Sequence, residues 1–460
     1  MTLFDTIDKT KTSMGARYLK RIIVEPLLDI DEINKRLNNV EYFYKNQKFM
    51  YRIMDMLSDV GDIERLASKL ALGRINPKEL VSLKRFLFSS LQIITELVLN
   101  NMIMLLSIGM IILTRISFAK AIRQFIFLTA GSVLALLIPV ILQKMSVFRR
   151  LTWVYAGIGI LALLAVCVMG SYSYGAKLSI SFGGISIQPS EFVKILFVFY
   201  IASMLYNAAD LKQVAITSGV SAVFVLILVA SKDLGGALLY FFTYLMLIYA
   251  ATRRFYVFAG GLGVLVVAAL LGYRLFSHVQ TRVAAWSDPL SVIDKAGYQI
   301  CQSLFAIGTG GWFGLGLNQG LPSKIPVVEK DFVFSAIAEE MGGAFAICLI
   351  LVCISCFLMI FNISMQMKDK FYKLIALGLG SIYALQVFLT IGGVTKFIPS
   401  TGVTLPLVSY GGSSLLSTMI IFGIIQGLYI IQSDQAAEKV EKPAKRSDTD
   451  GKKRKKQIQS

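Results

Sequence analysis

Histidine is almost missing from this chain: its 460 residues include one, His278. A multi-histidine metal centre or a histidine-based triad is therefore almost excluded, and the general base is expected to be a carboxylate. Charge is scarce as well, at 16% of residues against 55% hydrophobic, with a mean hydropathy of +0.67. That is the composition of a polytopic membrane protein, not of a soluble enzyme. Acids are rarer than bases, 28 Asp and Glu against 46 Lys and Arg, giving a formal net charge of +18. The densest basic run, Lys452–Lys456, follows the last apolar segment. That placement marks a cytoplasmic flank with affinity for anionic lipid and argues against nucleic acid. Cys353 and Cys356 form a CxxC, but inside an apolar run, which reads as helix packing and not as a redox or metal motif. Met1–Lys20 has no apolar core, so no signal peptide is expected. No GxxxxGK[ST] phosphate loop occurs anywhere.

Apolar runs supply most of what remains. Ten candidate spans lie near Leu99–Leu113, Ile122–Ile141, Trp153–Met169, Phe192–Tyr206, Ala215–Ala230, Ala237–Ala251, Val257–Leu275, Phe334–Phe361, Leu374–Gly393 and Leu415–Ile431. Each approaches the roughly 20 residues that a bilayer requires. The predicted fold is all-α: a polytopic membrane protein of about ten transmembrane helices with a large extracellular loop between spans 7 and 8. Residues 1–85 are charged and amphipathic and form a small soluble helical segment ahead of it. Helix starts are signalled at Asp29/Glu32 and at Asn76-Pro77-Lys78-Glu79, and Gly73 marks a helix end. The implied organisation is 1–85 soluble, 86–96 an interfacial connector, 97–432 the membrane domain and 433–460 a disordered basic cytoplasmic tail. Basic short loops at Lys144/Arg149/Arg150, Arg253/Arg254 and Lys368/Lys370/Lys373 put both termini in the cytoplasm by the positive-inside rule. The segments 170–188, 278–331 and 396–412 then share the outer face and can roof one cavity.

Charges at membrane depth cost roughly 2.5–3.5 kcal/mol each on insertion scales, so they mark function or a buried pair. Glu191 and Lys194 are three apart on one helix face and can pair. Asp233 opens a span, where a carboxylate suits the helix N-terminus. The large loop offers Asp288, Asp294, Glu329 and Asp331, with Glu339 and Glu340 beginning the next helix. Its glycine series Gly308–Gly320 could present N–H groups to a phosphate, or simply form a flexible aromatic loop. Ser409–Ser414, SYGGSS, directs the last helix N-terminus at the same face.

Five motifs in order, QPSEFVK, DLGGAL, GYQICQSLFAIGTGGWFGLGL, KDFVFSAIAEEMG and TGVTLPLVSYGGSS, resemble the RodA/FtsW family of shape, elongation, division and sporulation proteins across about residues 97–432. Separately, residues 2–84 resemble the start of the core (lever) domain of the MutS family, without its ATPase or mismatch-reading module. That makes mismatch binding by this fragment a disfavoured reading. The first resemblance implies a peptidoglycan glycosyltransferase of the bacterial cytoplasmic membrane that polymerises lipid II and works with a class B penicillin-binding transpeptidase. It implies a base for the acceptor hydroxyl, and cationic help for the departing pyrophosphate from Arg282, Lys324, Lys396 or a divalent cation (Mg²⁺ or Mn²⁺). Asp331 and Ser409 join these as substrate-binding candidates, while Glu191, Lys194 and Asp233 are carried over intact. One position departs: the family's aspartate stands five residues before the glycine of GYQ, and that residue here is Val292. Asp294 or Asp288 is then the expected base. The alternatives are a catalytically impaired scaffold of the transpeptidase, or a lipid II flippase.

Overall fold

The computed structural model describes residues 3–26, 29–47, 50–51, 54, 62, 98–142, 148–173, 176–182, 185–207 and 210–431. The Pro77 cap, the 86–96 connector and the 433–460 tail lie outside them. The chain divides into two compact units, Met1–Asn100 and Asn101–Ser460. The first unit holds three described helices, α1 (Leu3–Ile7), α2 (Ser13–Val24) and α3 (Ile30–Lys45). Thr12 caps α2 by accepting from Gly15 N at 3.0 Å. Asp29 opens α3 as its sequence suggests, accepting from Asp31 N at 2.8 Å.

The second unit is the membrane domain, whose opening helix begins in the last residues of the first. Its helices are α4 (Val98–Ile116), α5 (Phe118–Leu142), α6 (Thr152–Met169), α7 (Pro189–Leu205), α8 (Leu211–Ala230), α9 (Leu234–Thr252) and α10 (Phe255–Leu275). Two short helices follow in the long loop, α11 (Ser277–Ser287) and α12 (Tyr298–Gly310). The last three are α13 (Val333–Gln366), α14 (Lys370–Val394) and α15 (Gly412–Ile431). Nine of the described helices are long and apolar enough to cross a membrane. The tenth expected span is α7, which has 17 residues and is sheathed by its neighbours. Successive spans alternate in direction, so α4 starts and α15 finishes at one end of the bundle. The long loop closes the other end.

Position in the bundle follows from what each helix buries. In α10 no residue of the apolar window is buried, whereas 78% of the window of α14 is; α10 is peripheral and α14 central. Beside α14 sit α7 and α9, joined to α8 by an aromatic cluster. Phe197 lies 4.9 Å from Tyr240 and 5.2 Å from Phe224 between ring centroids, a tilted packing worth about 0.5–1.5 kcal/mol per pair beyond area burial. Tyr240 satisfies its hydroxyl by donating to Ser190 O at 2.8 Å. At the end away from the loop, Arg149 Nη2 meets Asp369 Oδ2 at 2.5 Å and its guanidinium stands over Tyr372, 5.1 Å from the ring centroid.

Two features at the loop end are not announced by hydropathy. Residues 170–188 form a small antiparallel sheet, β1 (Ser171–Ser173), β2 (Ala176–Phe182) and β3 (Ile185–Ile187), in the order β1-β2-β3. The second is a break within α13 at Gly342, with φ 88° and ψ 165°. The glycine series of the loop packs into that break. Gly343 N donates to Gly311 O at 2.8 Å, while Leu315 N and Gly316 N donate to Glu339 O and Glu340 O at 3.0 and 2.9 Å. These N–H groups are spent on the protein's own backbone and do not cradle a phosphate. A Cβ on Gly342 would stand 2.4 Å from Gly314 N, at a φ that alone costs a non-glycine residue about 1–3 kcal/mol. Gly342→Ala should therefore lower the apparent melting temperature of the purified chain by several degrees. An unchanged melt would show that the break is not held by this contact.

Candidate functional site

Beneath the roofing segments lies a cavity of about 880 Å³. All three segments expected to converge do so: Ser179, Ser186 and Gln188 from the first, Arg282, Gln299 and Asp331 from the second, and Ser400–Thr404 with Tyr410–Gly412 from the third. Its floor is the helix ends that carry Glu191, Lys194 and Asp233, with Gln386 from α14. One wall, Ile126 and Phe127 of α5, is apolar.

The carboxylates in this cavity are held differently. Glu191 is committed: its Oε2 meets Lys194 Nζ at 2.5 Å and accepts from Ser417 Oγ at 3.0 Å. Lys194, with 3% of its side chain exposed, donates also to Gln386 Oε1 at 2.9 Å. The i,i+3 pair expected from sequence is thus a buried ion pair bridging α7, α14 and α15. Asp233 is the N-cap of α9, its Oδ1 accepting from Gly236 N at 2.9 Å. Its second oxygen has no protein partner among the described residues. Burial pushes the Asp233 carboxyl up to about 6; the Gly236 bond opposes this, nearby Glu191 adds to it and Arg282 draws it back. Asp331 accepts no hydrogen bond from the described residues. Burial raises its carboxyl above the ordinary range, against the pull of Lys330 and Arg282.

Arg282 acts electrostatically on both acids. Its Nη1 donates to Ser400 O at 3.2 Å. A Cβ built on Gly402 would lie 3.7 Å from Arg282 Nη2 and 3.8 Å from Asp331 Oδ2, so both side chains end beside Gly402, at ordinary contact distance. Gly402 has φ 75°, which is the reason for glycine there. Arg123, Lys232 and Lys330 complete the cationic lining. None of these three stood out in the sequence, because each is a single base beside a helix end or within a charged loop.

Other sequence candidates are placed elsewhere. Asp288, Asp294 and Val292 are not among the residues that line the cavity. The loop 288–297 curls back on itself: Gly297 N and Lys295 N both donate to Val292 O, at 2.9 and 3.1 Å. Gly297 packs so closely that a Cβ there would be 2.1 Å from Pro289 O. This turn leaves both aspartates exposed. Lys324 lines a separate hollow of about 220 Å³ with Gln319 and Glu339. Lys396 does not reach the cavity; its carbonyl accepts from Trp286 Nε1 at 3.1 Å. Ser409 is buried in a structural role, donating to Lys330 O at 2.5 Å and accepting from Leu405 N at 2.9 Å. Glu329 pairs with Lys120, which outweighs burial and holds its carboxyl below the ordinary value. Glu340 pairs with Arg115 at 3.1 Å. Burial lowers the His278 imidazole below its ordinary value, with Arg282 and Lys232 adding to the downward shift.

Comparison with known proteins gives two family matches. A model described as cell cycle protein, FtsW/RodA/SpoVE, matches residues 88–433, and MutS domain III matches residues 1–134. The peptidoglycan glycosyltransferase RodA of Mycobacterium bovis is 37% identical over 295 residues, 59% of this chain and 61% of that protein. Stage V sporulation protein E of Bacillus subtilis is 33% identical over 284 residues, 58% of this chain and 75% of that protein. The chain thus spans about three fifths of the mycobacterial relative it matches. Among solved structures, a chain of a peptidoglycan synthase complex superposes with a TM-score of 0.64 at 23% identity, covering 73% of this chain and 97% of that one. RodA of Thermus thermophilus superposes with a TM-score of 0.52 at 22% identity, covering 73% and 96%. At such identities the likeness is one of fold.

Proposed function

The chain belongs to the FtsW/RodA/SpoVE family, and from that membership and the cavity we propose that it is a glycosyltransferase polymerising lipid II at the outer face of the bacterial cytoplasmic membrane. One observation carries the reading: a cavity whose lining brings together Asp233, with one carboxylate oxygen free of protein partners among the described residues, Asp331 and Arg282, beside an apolar wall. Such a lining suits a substrate with a charged sugar-pyrophosphate head and a polyprenyl tail. In the reaction, a sugar hydroxyl of the acceptor attacks the anomeric carbon of the donor. The bond from that carbon to the pyrophosphate oxygen breaks, and undecaprenyl pyrophosphate leaves with the electron pair. Asp233 takes the hydroxyl proton, since a base serves best with a pKa near the working pH. Arg282, Lys330 and Lys232 compensate the charge of the leaving group.

A divalent cation fits this lining. Mg²⁺ and Mn²⁺ sites on phosphate substrates need only one or two protein carboxylates. No cluster of three metal-ligating side chains occurs among the described residues, but Asp331, without a hydrogen-bond partner, would hold such an ion. When bound, it would neutralise pyrophosphate charge. The proposed partner is a class B penicillin-binding transpeptidase, and the proposed topology puts both termini in the cytoplasm.

The competing reading, a non-catalytic scaffold, draws on Val292 at the position where the family resemblance leads one to expect an acid. Polymerisation of purified lipid II by the wild-type chain and by Val292→Asp separates the two. Because Val292 lies outside the cavity lining, the wild type is expected to make polymer and Val292→Asp to change the rate less than twofold. An inactive wild type that gains activity on Val292→Asp would establish the scaffold.

A further inference from the structure

The loop between α12 and α13 carries two strongly exposed adjacent aromatic residues, Trp312 at 69% and Phe313 at 92% of full exposure. Its depth is fixed by hydrogen bonds to a membrane helix. Gly343 N donates to Gly311 O at 2.8 Å and Ala344 N donates to Trp312 O at 3.2 Å. From Ala344 to Phe361, α13 is an unbroken run without a charged residue. Those 18 residues rise about 27 Å, close to the roughly 30 Å of a bilayer's hydrocarbon. The tip of the loop is thus tied to the level at which α13 enters the hydrocarbon. Just above that level, Glu339 and Glu340 and the loop acids replace the apolar run.

We infer that Trp312 and Phe313 dip into the outer lipid leaflet at the headgroup boundary and anchor the roof of the cavity to the membrane surface. An indole suits that depth because its ring is apolar while its N–H still finds water or a headgroup oxygen. Phe305 and Leu315, 49% and 43% exposed, extend the apolar surface on the same segment. The backbone tie to residues 339–344 makes the anchor rigid. Neighbouring α12 carries Gln299 and Ile300 into the cavity lining, so lipid contact at the tip is transmitted to the wall of the cavity. The inference rests on the placement of the loop and holds whatever reaction the cavity performs.

Tryptophan fluorescence of the full chain in lipid nanodiscs tests it. The sequence has three tryptophans, and Trp153→Phe with Trp286→Phe leaves Trp312 alone. Its emission should be blue-shifted, quenched severalfold by lipids brominated near the headgroup, less by lipids brominated near the chain end, and little by aqueous acrylamide. Should loss of the Trp286 bond to Lys396 disturb folding, the parent is compared with Trp312→Phe alone, which should lose the shallow-quenched component. Emission at long wavelength that acrylamide quenches and brominated lipid does not would overturn the inference and leave this surface to a protein partner.

Discussion

Asp233→Asn should reduce lipid II polymerisation by about 10²–10⁴-fold, the usual contribution of a positioned base, while Asp294→Asn and Asp288→Asn should each stay within twofold of wild type. The contrast is sharp because asparagine is as good an N-cap as aspartate, so the bond from Gly236 N that starts α9 is retained and the fold is spared. What is lost is the oxygen that can accept a proton. The same assignment fixes a pH dependence. A base works when deprotonated, and burial pushes the Asp233 carboxyl up to about 6. Activity should therefore be level above neutral pH and fall about tenfold per unit once the pH drops below 6. Single-turnover polymerisation between pH 5 and 8 reads this directly. Loss of activity with Asp294→Asn and not with Asp233→Asn would move the base back to the long loop.

Lys194→Met should be the most damaging single change to stability, costing about 3–5 kcal/mol, because it strands Glu191 as an unpaired buried charge. The geometry supports that magnitude. Lys194 has 3% and Glu191 14% of the side chain exposed, and Gln386 and Ser417 complete the network from α14 and α15. The double variant Glu191→Gln, Lys194→Met removes both charges and should recover most of the loss. Melting of the purified chain followed by size-exclusion chromatography is the measurement. A double variant no more stable than Lys194→Met would show that the pair acts through its separate hydrogen bonds and not through charge.

Much of this was legible because it is local. The spans follow from runs of apolar residues, the Glu191–Lys194 pair from helical spacing, and the Asp233 cap from the carboxylate that heads DLGGAL. The convergence of three loops on one cavity follows from counting spans and assigning alternate ends. What the sequence hid is non-local. Alternation in AKLSISF is a strand signal, but seven residues between two membrane helices are easily read as loop. Asp288 and Asp294 are candidates by their distance from GYQ along the chain; neither lines the cavity, although Ala296 and Gln299 beside them do. Lys324 and Lys396 are candidates by charge and loop membership, and neither property says which way a loop folds. Conversely, Arg123 of α5, Lys232 of the turn between α8 and α9 and Lys330 of the long loop all line the cavity, and only the tertiary arrangement collects them.

The break at Gly342 carries a constraint of another kind. Above it, the first turns of α13 hold Glu340 against Arg115 and offer a Glu339 oxygen to Leu321 N at 3.1 Å. Below it runs the membrane span. Each residue of helix turns its successors by about 100°, so one residue gained or lost between Val333 and Glu340 would swing both carboxylates off their partners while the span stayed put. That short segment should accept changes of side chain far more readily than changes of length, and in a library of single-residue insertions and deletions it should stand out as a gap in tolerance within the loop end of the protein.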